Sequence, residues 1–253
     1  LKTEKTLIMI PTYNERDNVQ WLFQGITAQN LGVDILFVDD NSPDGTGQIL
    51  DTMALEHKEL SVLHRRGKEG IGSAHKAGIR WAYEKGYTTL ITMDADLTHS
   101  PNDIFKFLNS KNSDIVVGSR YLQVDSLKEW NFLRRVLTQT ANFLTSHMLG
   151  LKEDATGGFR LYRLSKIPFQ VFELVESNSY SFFFESLYLL KTNRFQISEV
   201  PISLPPRTYG SSKMQLSDAL RSIKVLIVLF LKGLVRSKTL NANFDAKSTN
   251  GRS

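Results

Sequence analysis

The sequence predicts an α/β protein with a mostly parallel central sheet flanked by helices. Three observations lead there. Short apolar, β-prone runs alternate with helical patterns of about 10–15 residues through the first half, which is the signature of βαβ units. Three of those runs stop at acids or conspicuous polar residues: Tyr13 and Glu15, Asp39 and Asp40, Asp94 and Asp96. Ligands of parallel sheets lie outside the carboxyl ends of the strands, so the same three stops predict where a ligand binds.

Taken in order, Thr6 to Ile10 is the first strand run and Pro11 stops it. Asn14 to Ala28 carries Val19, Leu22, Phe23 and Ile26 at helical spacing. Asp34 to Val38 is the second strand run, and Asp39-Asp40-Asn41-Ser42-Pro43-Asp44-Gly45 follows it with turn chemistry. Ile49 to Lys58 reads as helix, Leu60 to His64 as strand, Ser73 to Lys85 as helix, and Thr88 to Met93 as strand. Asn102 to Asn109 is the next helix and Asp114 to Gly118 the next strand. Trp130 to Leu149 is a long helix whose stripe is Leu133, Leu137, Ala141, Leu144 and Met148. Ser179 to Lys191 is an aromatic-rich helix. Ile197 to Leu204 is an edge strand, because Pro201 lies inside it and Pro205-Pro206 ends it. Ser217 or Asp218 caps a last helix to about Arg236, with Leu220, Ile223, Ile227, Phe230 and Leu234 as its stripe. Arg221, Lys224, Lys232, Arg236 and Lys238 make that region basic, and residues 239–253 read as a disordered polar tail. Trp21, Trp81 and Trp130 are assigned to core or interface. Residues 1–236 thus form one expected domain, with residues 218–236 as an interfacial helix.

Composition narrows the function. With 253 residues, 41% apolar and 23% charged, the chain is neither wholly disordered nor collagen-like. It has no cysteine, which excludes disulfides, Cys-ligated zinc and a thiol nucleophile. A net charge of +5 favours an anionic partner: nucleotide, phospholipid surface or nucleic acid. Nucleic acid is set aside, because the basic residues are dispersed and form no nucleic-acid-binding motif. The longest apolar run, Val225 to Leu231, is far short of the roughly 20 residues of a membrane span. The N-terminal residues carry no signal-peptide pattern.

The acids at the strand ends carry the chemistry. Asp94 and Asp96, one residue apart after an apolar strand, can both reach a divalent cation, Mg²⁺ or Mn²⁺, that also bridges phosphate oxygens. A solvated turn that caps the next helix is the plainer reading. A carboxylate of the Asp39–Gly45 segment can accept hydrogen bonds from a ribose or a base, or merely shape the turn. Gly67-Lys68-Glu69-Gly70-Ile71-Gly72 precedes a helix but fits no phosphate-loop pattern, so a flexible connection is expected. Arg134 and Thr138 lie four residues apart and share a helix face. Arg207-x-x-Gly210-Ser211-Ser212-Lys213 can close over phosphates as a loop.

Five motifs occur in one order: Pro11-Thr12-Tyr13-Asn14-Glu15, Val38 to Thr46, Met93 to Leu97, Gly118-Ser119-Arg120-Tyr121, and Gly158 to Arg163. On these residues the chain resembles the family 2 glycosyltransferases of GT-A fold, and within them the dolichyl-phosphate (polyprenyl-phosphate) mannose synthases. The resemblance spans about Leu7 to Leu231. It implies transfer of mannose from GDP-mannose to a dolichyl or polyprenyl monophosphate, with inversion and a divalent cation. It implies that Pro11, Tyr13, Glu15, Val38 and Asp40 line the guanosine pocket. Asp94, Ala95 and Asp96 would face diphosphate and metal, with Arg120 at the sugar and phosphates and Arg207 and Lys213 on a mobile loop. Arg120, Arg134 and Thr138 would hold the acceptor phosphate. The chain departs from some relatives at Thr98 and Phe183, where they carry Gln, and membrane spans such as some relatives append are not expected within residues 1–253. Attachment to the cytoplasmic face of a membrane, endoplasmic reticulum or plasma membrane, then rests on the last helix, on an anchoring subunit, or on both. Another donor such as UDP-glucose, another acceptor, or a nucleotide-sugar-binding subunit without catalysis remain open at this point.

Overall fold

The computed structural model describes residues 4–123, 132–204, 216–235 and 238–242. One seven-stranded sheet runs through them. Its strands are β1 (Thr6–Thr12), β2 (Asp34–Asp39), β3 (Leu60–His64), β4 (Thr89–Thr92), β5 (Ile115–Ser119), β6 (Arg160–Tyr162) and β7 (Ile197–Pro201), in the order β3-β2-β1-β4-β6-β5-β7. β1 pairs in parallel with β2 and β4, β2 with β3, and β5 with β7. Only β6 runs antiparallel, wedged between β4 and β5. The expected parallel α/β sheet is therefore present, with one reversed strand that the sequence reading did not contain. β7 lies at the sheet edge, as its proline predicts.

The strands bury both faces, and their side chains alternate between two cores. Leu7 and Met9 of β1 join one core and Ile8 and Ile10 the other. Leu36 and Val38 of β2 likewise part from Ile35 and Phe37. α1 (Val19–Thr27), α2 (Thr46–Glu56) and α4 (Ile104–Asn109) cover one face through Leu22, Leu50 and Phe107. α3 (Ile71–Glu84), α5 (Phe132–Leu149), α7 (Phe182–Thr192) and α8 (Leu216–Leu234) cover the other through Ile79, Leu144, Leu187 and Leu229. Each such aliphatic or aromatic side chain contributes about 1.5–3 kcal/mol on burial. A short α6 (Gln170–Glu173) completes the helices of the described residues.

Several element ends differ from expectation for local reasons. α1 starts at Val19 rather than Asn14, because Asn14 sits at φ 56° and Glu15 to Asn18 form a turn. α2 starts at Thr46, where Gly45 at φ 93° turns the chain and Asp44 accepts the Thr46 N–H. Pro101–Asp103 is a 3-10 turn before α4. Gly70 and Gly72 are not a loose connection: a Cβ on Gly70 would stand 2.3 Å from the Asn178 carbonyl oxygen, and one on Gly72 would stand 2.7 Å from Phe182 Cβ. They let the start of α3 press against the segment before α7. Trp21, assigned to core or interface, is 64% exposed. Leu240 and Ala242, expected in a disordered tail, are docked on Asn193 through 2.9 Å hydrogen bonds. Trp130, Arg236 and residues 243–253 lie outside the described residues.

His75 of α3 is wholly buried between Phe182 and Phe183. Its Nδ1 meets the Ile71 carbonyl at 2.9 Å, and among the described residues its Nε2 has no hydrogen-bond partner. Burial pushes its pKa from 6.5 down to about 4, and the nearby Arg160 charge adds to the shift. The unfolded chain therefore takes up a proton near pH 6.5 that the folded chain refuses, and stability falls as pH falls from 6.5 toward 4. Between pH 7 and pH 5 this one group removes about 2 kcal/mol. Urea unfolding of wild type and His75→Phe at both pH values should show that extra loss in the wild type alone.

Candidate active site

The carboxyl ends of β1, β2 and β4 meet on one sheet edge. Pro11 pairs with Val38 and Thr12 with Asp39 across β1 and β2, and the Met93 N–H reaches the Met9 carbonyl at 3.1 Å. Strand order reverses between β1 and β4, so a crevice opens outside their ends. Tyr13 and Glu15 leave β1 there, Asp40 leaves β2, and Asp94 to Asp96 leave β4.

The loops after β1 and β2 are stitched together. The N–H groups of Asn14 and Glu15 donate to Ser42 Oγ and Thr46 Oγ1, each at 3.0 Å. Asp39 is buried and receives Thr12 Oγ1 at 3.1 Å, Ser42 Oγ at 2.6 Å and the Ser42 N–H at 3.1 Å. Asp44 holds Thr46 at 2.6 Å. Both carboxylates are thereby committed to shaping the loops. Asp40, also buried, faces Arg65, which additionally contacts Glu69 and Ser73. Burial raises the Asp40 pKa above its ordinary value, and Arg65 offsets this only in part. Lys68 lies over the Tyr13 ring, 4.4 Å from its centroid. Glu15 accepts the Asn18 amide at 2.7 Å. Val38 points its side chain into the core, so only its backbone is available at this edge.

Asp94 and Asp96 occupy the turn after β4. Asp96 is 8% exposed, and its Oδ1 accepts the Thr98 hydroxyl at 2.6 Å and the Thr98 N–H at 3.2 Å. Thr98 thus orients Asp96 from inside. Between them Leu97 holds φ 62°, a left-handed conformation that a branched side chain rarely adopts and that clusters at functional sites. Ala95 is buried in the core beneath. Gly158 borders Asp94: a Cβ there would stand 3.2 Å from Asp94 Oδ1. The Gly158 carbonyl takes the Thr92 hydroxyl at 2.7 Å, which fixes the start of β6 against β4. The fifth sequence motif is therefore a backing for the Asp94 turn.

The donor set fits a divalent cation by its chemistry. Both groups are hard oxygen ligands, and Mg²⁺ is commonly held by one or two carboxylates with substrate phosphates completing its shell. Among the described residues no cluster of three or more His, Cys, Asp or Glu forms a self-contained metal cage.

Arg120, at the end of β5, is bound by Asp154. Its N–H and Nε reach Asp154 Oδ2 at 3.1 and 2.7 Å, and its Nη2 contacts Asp154 Oδ1 and Thr156 Oγ1. Burial works against the Arg120 charge, but Asp154 outweighs it, with a smaller pull from Asp94, and the pKa rises. Burial likewise works against the Asp154 charge, yet Arg120 outweighs it and holds the carboxyl below its usual range. Asp154 was not among the sequence candidates, and its pairing across 34 residues leaves no local signal. Two further residues escaped the sequence reading: Arg65, the partner of Asp40, and His99, which accepts the Asp94 N–H at 2.9 Å. Arg134 and Thr138 lie four residues apart on α5, and the Tyr121 hydroxyl reaches the Thr138 carbonyl at 3.3 Å. Arg207 and Lys213 lie outside the described residues.

The sheet, its reversed strand and the acids at the crevice define a nucleotide-sugar transferase of GT-A type. The chain belongs to glycosyl transferase family 2, whose family model matches residues 7–167. It is 37% identical over 220 residues to polyprenol monophosphomannose synthase of Mycolicibacterium smegmatis, covering 85% of this chain and 83% of that one. It is 36% identical over 212 residues to undecaprenyl-phosphate mannosyltransferase of Micrococcus luteus, covering 83% and 87%. The fold also matches glucosyl-3-phosphoglycerate synthase of Mycobacterium tuberculosis, solved with Mn²⁺, UDP and glucosyl-3-phosphoglycerate. There the TM-score is 0.61 at 15% identity, over 91% of this chain and 80% of that one.

Removing one partner of a buried pair strands the other charge. Asp154→Ala should lower the unfolding free energy by about 3–5 kcal/mol, measured by urea denaturation at pH 7.

Proposed function

We propose that the protein transfers mannose from GDP-mannose to a dolichyl or polyprenyl monophosphate, with inversion at the sugar. The paired carboxylates of Asp94 and Asp96 at the crevice carry this reading. The two relatives at 36–37% identity, one a polyprenol monophosphomannose synthase and one an undecaprenyl-phosphate mannosyltransferase, support a mannosyl group and a lipid-phosphate acceptor. Pro11, Tyr13, Glu15, Val38 and Asp40 then line the guanosine. Asp94, Asp96 and Arg120, with the Ala95 backbone between the two acids, face the diphosphate and sugar, a role that the family resemblance also implies for Arg207 and Lys213. Arg120, Arg134 and Thr138 take the acceptor phosphate.

The attacking atom is an acceptor phosphate oxygen. A phosphate monoester has its second pKa at about 6, so it attacks as an anion near pH 7 without a general base. A new bond forms from that oxygen to the anomeric carbon as the bond to the GDP oxygen breaks, and GDP leaves with the electron pair. The chain's task is to bring two anions together and hold them in line. Arg120, kept cationic by Asp154, supplies fixed positive charge beside Asp94, and Arg134 adds charge on the acceptor side. A divalent cation, Mg²⁺ or Mn²⁺, held by Asp94 and Asp96 supplies neutralisation of the departing diphosphate when bound.

A lipid acceptor calls for a membrane surface, and α8 suits one. No helix of the described residues is long and apolar enough to cross a membrane. Four of the five residues of its expected stripe, Leu220, Ile223, Ile227 and Leu234, face outward together with Leu231, while the fifth, Phe230, packs against the core that buries Leu226 and Leu229. Arg221 and Lys224 flank that stripe, an arrangement that lies in the interface of an anionic bilayer. On this reading the enzyme acts peripherally at the cytoplasmic face of a membrane, where an anchoring subunit can add to the attachment.

Radiolabelled GDP-mannose, a short polyprenyl phosphate and Mn²⁺ should yield label in the organic phase, and GDP should raise the melting temperature more than UDP does. Asp96→Ala should lower turnover by roughly 10²–10³-fold; a variant that still transferred mannose at the wild-type rate would overturn the assignment. Arg221→Glu with Lys224→Glu should weaken sedimentation with anionic vesicles by about 1 kcal/mol per residue and leave GDP binding intact. Unchanged sedimentation would remove α8 from the membrane.

A further inference from the structure

The turn after β4 is closed by a residue that the reaction as described does not use. His99 is buried and stacks on Phe159, ring centroids 4.8 Å apart and planes at 24°. Its Nδ1 accepts the backbone N–H of Asp94 at 2.9 Å. Because Nδ1 is the acceptor, the ring proton sits on Nε2. That nitrogen stands 3.8 Å from Asp94 Oδ2. A single imidazole therefore meets both the main chain and the side chain of one aspartate, five residues earlier.

The surroundings leave the ring little choice. Phe159 packs against its face and itself leans on Phe107, with centroids 4.3 Å apart. Gly158, one residue before Phe159, borders the other carboxylate oxygen of Asp94. Leu97 holds its left-handed φ, and Thr98 takes the neighbouring Asp96. Stacking alone would fill the space with any flat apolar ring. The polar atoms of this ring both turn to Asp94, which packing does not require.

We propose that His99 is a positioning residue for the donor site: it fixes the Asp94 turn through Nδ1 and steers the Asp94 carboxylate through Nε2–H. The proposal rests on the reading of Asp94 and Asp96 as ligands of a divalent cation at the diphosphate. The 3.8 Å separation is longer than a hydrogen bond, and such contacts tighten when the ligand binds. Outer partners of this kind change metal affinity on the order of 10–100-fold.

The test is calorimetric titration of GDP into the full chain, once with Mn²⁺ and once with chelator. His99→Asn keeps an acceptor near the Nδ1 position and loses the donor toward the carboxylate; His99→Leu loses both. With Mn²⁺, affinity should fall in the order wild type, His99→Asn, His99→Leu, with the last weaker by about tenfold or more. In chelator all three should agree within about twofold, since the guanosine contacts are untouched. Equal losses in both conditions would reduce His99 to a packing residue, and equal affinities with Mn²⁺ would remove it from the site. A wild-type protein that binds GDP equally with Mn²⁺ and with chelator would defeat the cation reading itself, and this inference with it.

Discussion

Charge buried at the carboxyl edge of the sheet must be compensated side chain by side chain, and that requirement organises everything around the crevice. A carboxylate withdrawn from water needs hydrogen bonds or a counter-ion. Asp39 gets three donors from Thr12 and Ser42. Asp154 gets Arg120, Asp40 gets Arg65, and Asp96 gets Thr98. Thr12 with Asp39, Arg65 with Asp40 and Arg120 with Asp154 also tie separate segments together, so satisfying the charges and shaping the crevice are the same act. The carboxylates split into two kinds as a result. Asp39 and Asp44 are absorbed by the loops they shape, while Asp94 and Asp96 are held in place at the crevice by neighbours on the protein side.

The two halves of the chain contribute differently to that edge. Residues before β5 supply the acids. Residues after it supply backing and counter-charge: Asp154 for Arg120, Gly158 and Phe159 behind the Asp94 turn. The reversal of β6 makes this possible. A parallel strand at that position would begin at the far edge of the sheet, whereas β6 begins beside the ends of β4 and β5 and brings residues 154–159 to the site.

Much of this was legible in the sequence, and the failures have physical causes. β1 to β5 were readable because each is an apolar run closed by turn residues. β6 was not, because it is only Arg160-Leu161-Tyr162, and its first residue is a wholly buried arginine that donates to the Phe183 and Ala155 carbonyls. Helix periodicity located α8 and most of its outward stripe: Leu220, Ile223, Ile227 and Leu234 are exposed, whereas Phe230 packs on the core beside Leu226 and Leu229, which the periodicity did not separate from it. The acids of the site could be read because they follow strands. The counter-ions of Arg120 and Asp40 could not, because Asp154 and Arg65 lie 34 and 25 residues away from them and carry no motif. His99 did have a signal, a lone histidine three residues after the second acid of Asp94-Ala95-Asp96. Its use depends on Phe159, and only the fold brings that ring across.

The late arrival of β6 also has a consequence for biosynthesis. Until residues 160–162 emerge and insert, β4 and β5 each present an unpaired edge, the kind of surface that recruits other chains. A nascent polypeptide ending near α5 would hold the acids of its crevice but lack the aspartate that neutralises Arg120. Ribosomal pausing or truncation in that stretch would yield a sticky, half-zipped sheet, and completing the centre of the sheet seals both edges together.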